Sequence, residues 1–190
     1  MSHQQGDNYP HQSSLNGETL SKTDFSDMRS ELETVLQLAT VLMERDWRLA
    51  TVESCTGGSI AQLLTSVAGS SEWFECGLVT YSNRSKTELV GVPKHLIDQY
   101  GAVSEKVACA MASGAISRTA ATVALSVTGV AGPSGGSAAK PVGTVYIAWQ
   151  FPGLPVRAER FHFHGDRDAV RRQSVNIALE ELLRLMSTTV

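Results

Sequence analysis

The chain is predicted to fold as one α/β domain, a three-layer α/β/α sandwich on a mixed sheet. Three observations carry that expectation. Apolar runs at 48–53 and 122–128 each end in a glycine-rich loop, as buried parallel strands do. Amphipathic stretches with helical spacing lie before and between them. Beyond them, 142–149 and 156–164 read as an antiparallel pair turned across Pro152-Gly153. Alternating helices and strands closed by a hairpin give this architecture.

The elements follow in order. Residues 1–25 are rich in Gln, Ser, Asn and Gly, cannot offset their ordering entropy, and read as a disordered tail before a domain at 26–190. The tail has no apolar h-region, so it does not read as a signal peptide. Leu32, Val35, Leu36, Ala39, Leu42 and Met43 predict a helix from Ser30 to Arg45, with Ser30 and Glu33 as a capping box. The first strand then runs into Ser54-Cys55-Thr56-Gly57-Gly58, and a helix continues to Ser66. Cys76–Tyr81 is a second strand and Ser85–Val90 a short helix carrying Lys86. Pro93 suits a first helical position, Gly101 a stop, and Ser104-Glu105 the opening of a longer helix. The last helix spans Asp166 to Met186.

Composition excludes several function classes. A formal charge of −3, 42% hydrophobic residues and no apolar run near the roughly 18 residues of a membrane span describe a soluble chain. Basic clusters are lacking, which argues against a nucleic-acid partner. Three cysteines without C-x-x-C spacing fit a reducing cytoplasm, and scattered histidines offer no metal site. No cofactor is implied. Small α/β domains of this kind often pair, so a homo-oligomer, dimer or higher, is expected.

The chemistry concentrates in loops at strand ends, where ligands bind in open α/β sheets. Ser54–Gly58 puts a hydroxyl, a thiol and a second hydroxyl on a strand-to-helix turn. Helix-start N–H groups lack intrahelical partners, so an oxyanion or phosphate site would lie beside Ser54. The same residues also read as a plain glycine-rich connector. Thr128 and Gly129 open a second such loop, to Gly136.

A nucleophilic serine needs a base. His95 reads as a surface residue, and His162 and His164 alternate with Phe161 and Phe163 on a polar strand face, so no triad is motivated. Lys86 would serve if burial left its amine neutral; otherwise it is a solvated lysine. Arg171 continues the inward stripe Val175–Ala178–Leu182. It reads either as a carboxylate or phosphate ligand or as half of a structural ion pair.

Several motifs in one order resemble the C-terminal domain of the competence/damage-inducible protein CinA, whose stand-alone forms are nicotinamide mononucleotide deamidases. They are Glu53-Ser-Cys-Thr-Gly-Gly58, Gly69-Ser-Ser71 with Trp73-Phe74, Val79-Thr-Tyr-Ser-Asn83 and Gly101-Ala-Val-Ser-Glu105. Gly129-Val-Ala-Gly-Pro133, Lys140-Pro-Val-Gly-Thr144 and Gly165 through Gln173 complete the set. The resemblance implies a serine/lysine amidohydrolase with Ser54 as nucleophile and Lys86 as general base. It also implies a site lined by Tyr81, Asn83, Thr128 and Arg171 or Arg172. Thr56, Gly57 and Gly58 would supply oxyanion donors, and a nucleotide would be the partner. The competing expectation is a non-catalytic nucleotide-binding module tied to competence or DNA damage.

Overall fold

The structure is a computed structural model describing residues 22–188. Its elements are α1 (Lys22–Glu44), β1 (Leu49–Glu53), α2 (Ser59–Thr65), β2 (Phe74–Val79), α3 (Asn83–Val90) and α4 (Lys94–Tyr100), then α5 (Glu105–Arg118), β3 (Val123–Gly129), β4 (Thr144–Gln150), β5 (Arg157–His162) and α6 (Arg167–Thr188). The sheet order is β2-β1-β3-β4-β5. β1 runs parallel to both β2 and β3, whereas β4 and β5 continue antiparallel. The predicted α/β class and mixed sheet are observed.

Period-two alternation in the central strands builds the layers. Leu49, Val123, Leu125, Val127, Val145, Ile147 and Trp149 enter one core with α1, α2 and α6. Ala50, Val52, Ala124 and Ala148 enter the other, against α4 and α5. Small residues on the second face let α5 approach closely, and Ser126 Oγ donates to the Ala108 carbonyl at 2.7 Å. Trp149 anchors the first face by donating from Nε1 to the Ala178 carbonyl at 3.0 Å.

The start of α1 differs from expectation. The helix begins at Lys22, so residues 22–25 of the expected tail open it. The rest of that tail, residues 1–21, lies outside the described residues. Ser30 is therefore inside the helix, its carbonyl accepting from Thr34 Oγ1 at 3.1 Å, and the Ser30/Glu33 capping box does not form. Val35, Leu38, Ala39 and Leu42 are the buried stripe, whereas Leu32, Leu36 and Met43 are exposed. Apolar spacing located the helix and its buried Val35, Ala39 and Leu42, but missed Leu38.

Among the described residues, no helix is long and apolar enough to cross a membrane. The chain leaves β1 for β2 on one side and returns to β3 on the other. The ends of these three parallel strands therefore open a crevice at the point where strand order reverses.

Candidate active site

Three strand-end loops and the start of α6 converge on that crevice. A cavity of about 360 Å³ there is lined by Ser54, Cys55, Tyr81, Asn83, Lys86, residues 102–103, Thr128 to Gly132, Ser134, Gly135 and Arg167. That volume falls in the range of small-molecule sites.

Alternation along β1 decides which way each side chain points. Glu53 faces α2, and Ser54, the next residue, faces α3. The Ser54 amide donates to the Val127 carbonyl at 3.0 Å, extending the sheet by one residue and fixing the serine at the mouth. Opposite it, α3 is held by a capping box between Ser82 and Ser85 and ends at Gly91. Lys86, in the second turn of α3, is 1% exposed. Its Nζ lies 3.0 Å from Ser54 Oγ and 2.6 Å from the Thr80 carbonyl oxygen.

Desolvation pulls the Lys86 amine down from its ordinary 10.5 to about 8, with the nearby Cys55 group pulling weakly the other way. Burial pushes the Cys55 thiol up to about 11, partly offset by backbone hydrogen bonds from Cys55 and Thr56. A thiol so shifted is a poor nucleophile near neutral pH. The pair that brings a hydroxyl against an amine lowered toward neutrality is Ser54 and Lys86.

The helix start beside Ser54 is already filled. Glu53, 1% exposed, accepts from the Gly58 and Ile60 amides on Oε2 at 2.9 and 3.1 Å, and from the Ala61 amide on Oε1 at 2.8 Å. The Gly57 amide donates to the Ser54 carbonyl at 3.1 Å. The expectation that Gly57 and Gly58 hold oxyanion donors is corrected accordingly: a buried carboxylate and a tight turn use both. The Thr56 side chain does not line the cavity, and its buried Oγ1 has no hydrogen-bond partner.

The arginines are redistributed as well. Arg171 does face inward, but Nη2 donates to the Thr56 carbonyl and to Ser59 Oγ, each at 2.9 Å. With Arg172 it lines a separate cavity of about 460 Å³ behind α2, which Glu31 and Asp168 share. Neither lines the Ser54 cavity. Arg167, one turn earlier, does: it donates from Nη1 to the Gly132 carbonyl at 2.8 Å and from Nη2 to Tyr81 Oη at 3.0 Å. Tyr81, Asn83, Thr128 and Gly129 line the cavity, and Thr128 Oγ1 donates to the Ala102 carbonyl at 2.9 Å and so ties two loops together. Among the described residues, no group of three or more metal-ligating side chains occurs.

The sequence model of the CinA C-terminal domain matches residues 31–186. The chain belongs to the CinA C-terminal domain family. It is 52% identical over 158 residues to the nicotinamide-nucleotide amidohydrolase PncC of Pseudomonas putida, covering 81% of this chain and 98% of that protein. A CinA-like protein of Akkermansia muciniphila is 50% identical over 142 residues, which are 75% of this chain but 34% of that longer protein. Among solved structures, the competence damage-inducible protein A of Klebsiella pneumoniae superposes with a TM-score of 0.81 at 35% identity, covering 84% of this chain and 99% of that one.

Sequence reasoning did not single out Glu53 or Arg167 within this CinA-family domain. Both carried a signal. Glu53 is a charged residue ending an otherwise apolar strand, where burial requires partners. Arg167 directly follows the Asp166 cap, whose Oδ1 accepts from the Ala169 amide at 2.8 Å, so it stands at the helix mouth.

Proposed function

We propose that this protein is a nicotinamide-nucleotide amidohydrolase, converting nicotinamide mononucleotide and water to nicotinic acid mononucleotide and ammonia through a Ser54 acyl-enzyme. The observation that carries the mechanism is the 3.0 Å approach of Lys86 Nζ to Ser54 Oγ inside a cavity. The substrate class comes from relatives named for that activity, including the Pseudomonas putida protein whose length this chain nearly spans.

In the first step Ser54 Oγ attacks the carboxamide carbon and its proton passes to neutral Lys86 Nζ. One Lys86 N–H is held by the Thr80 carbonyl, which leaves the nitrogen lone pair of the neutral amine free to turn to the serine. The tetrahedral intermediate collapses as Lys86 returns that proton to the departing nitrogen, which leaves as ammonia. Water then attacks the acyl carbon with Lys86 again as base, freeing the carboxylate and Ser54. The oxyanion role is assigned to the Cys55 and Thr56 amides, the first two N–H groups after Ser54 along the chain. Each such donor is worth about 3 kcal/mol in known cases. Arg167 is the cationic side chain lining the cavity beside Lys86 and takes the phosphate role that sequence reasoning left open between the arginines and the Thr128–Gly136 loop.

An ammonia-release assay on nicotinamide mononucleotide against a panel of other carboxamides tests this. Turnover of the mononucleotide is expected, and Ser54→Ala is expected to remain folded and inactive. Binding of the mononucleotide without ammonia release would overturn the enzyme reading in favour of a binding module.

A further inference from the structure

Two side chains outside the Ser54 cavity grip the turn that carries Ser54 from opposite sides. On one side the Glu53 carboxylate takes the Gly58, Ile60 and Ala61 amides, and Thr51 Oγ1 lies 3.4 Å from its Oε1. On the other side the Thr56 carbonyl accepts from Arg171 Nη2 at 2.9 Å, from Ser59 Oγ at 2.8 Å and from the Ser59 amide at 3.3 Å. Arg171 also holds Ser59 Oγ at 2.9 Å. We propose that Glu53 and Arg171 are positioning residues, a two-sided clamp that keeps Ser54 Oγ within reach of Lys86.

The turn needs such a clamp because of its own backbone. Gly57 and Gly58 both adopt positive φ, 64° and 96°. Glycine has the widest conformational freedom of any residue, so a pair of them is a hinge. Gly58 occupies the N-cap position of α2 and has no side chain to close the helix. The carboxylate instead comes from the last residue of β1, one peptide before the nucleophile. Any slip of α2 against the sheet therefore passes through Glu53 to Ser54. Arg171 closes the remaining freedom by pinning the Thr56–Gly57 peptide to α6. Its charge is balanced by Asp168 Oδ1 at 3.7 Å and is not presented to the Ser54 cavity.

The proposal rests on Ser54 being the nucleophile, and the experiment separates the two claims. Ammonia release from nicotinamide mononucleotide is measured as kcat and KM for the wild type, Ser54→Ala, Arg171→Ala and Glu53→Gln, with a melting temperature for each. A small displacement of reacting groups can cost about a hundredfold. Arg171→Ala is expected to lower kcat by about ten- to a hundredfold, with KM changed by no more than about twofold and melting retained. Arg171 is part-exposed, so this variant folds even if Glu53→Gln does not; where Glu53→Gln folds, the same split is expected. A raised KM at unchanged kcat in Arg171→Ala would make Arg171 a substrate ligand and overturn the clamp. Unchanged kinetics, or activity loss that only follows loss of folded protein, would overturn it as well. If Ser54→Ala keeps turnover, the nucleophile assignment itself fails; if Ser54→Ala is inactive and Arg171→Ala matches wild type, the clamp alone fails.

Discussion

Lys86 Nζ lies 3.0 Å from Ser54 Oγ, although 32 residues separate the two along the chain. The approach exists because β1 and β2 are parallel neighbours whose ends carry the two loops. α3 then folds back so that its second turn meets the end of β1. Burial of the lysine and its closeness to the serine have one cause, the packing of α3 on the sheet.

Removing either partner is expected to abolish ammonia release. Ser54→Ala and Lys86→Ala should each reduce kcat by at least about a thousandfold, with no added loss in the double variant, because the pair acts as a unit. Wild-type-like turnover in either folded single variant would refute the dyad.

The pH profile should report the lysine. Burial brings its amine to about 8, and only the neutral amine can accept the serine proton. Below that value kcat/KM should fall about tenfold per pH unit, and above it the rate should level off. A rate flat from pH 6 to 9 would exclude Lys86 as the base.

The same shift has a stability consequence. The folded amine titrates near 8 and the unfolded one near 10.5. Below pH 8 both states hold the proton, and the fold bears the full cost of a buried charge. Between the two values the unfolded chain binds more protons, so stability rises with pH. Relative to Lys86→Met, the wild type should be destabilised at pH 7 and should recover as pH approaches 10. The difference in melting temperature between the two proteins isolates this from other groups titrating there.

Cys55 adjoins Ser54 yet is expected to be a bystander. Its thiol is pushed up to about 11, leaving about one part in ten thousand as thiolate at pH 7. Iodoacetamide should leave activity intact in the native protein, and Cys55→Ala should keep kcat within about threefold. Complete inactivation by that one substitution would move the nucleophile from Ser54 to Cys55.

Gly114 sets how closely α5 approaches the end of α3. A Cβ there would lie 1.8 Å from the Val90 carbonyl oxygen. Gly114→Ala must push α3 outward, costing about 1–3 kcal/mol. Because α3 carries Lys86, kcat should fall with the melting temperature, and a fully active, stable Gly114→Ala protein would show that α3 tolerates displacement.

The sequence by itself determined the elements and their order. Strand alternation, glycine punctuation and the Ser104 and Asp166 caps are local signals, and apart from the start of α1 the elements appear within a few residues of expectation. It also drew attention to Ser54, in a polar turn directly after an apolar strand, and to Lys86, in the short helix that follows the next strand. Only the tertiary structure decided which charges face which cavity. Arg167 and Arg171 are one helical turn apart and look equivalent in a list of residues, yet one reaches Tyr81 and the other Thr56. Glu53 reads as a strand end until α2 folds back and delivers three amides to it. Whether Lys86 is solvated or buried is likewise a matter of neighbours contributed by distant segments. Periodicity records what a residue does along its own element; desolvation and hydrogen bonding depend on what the rest of the chain brings to it.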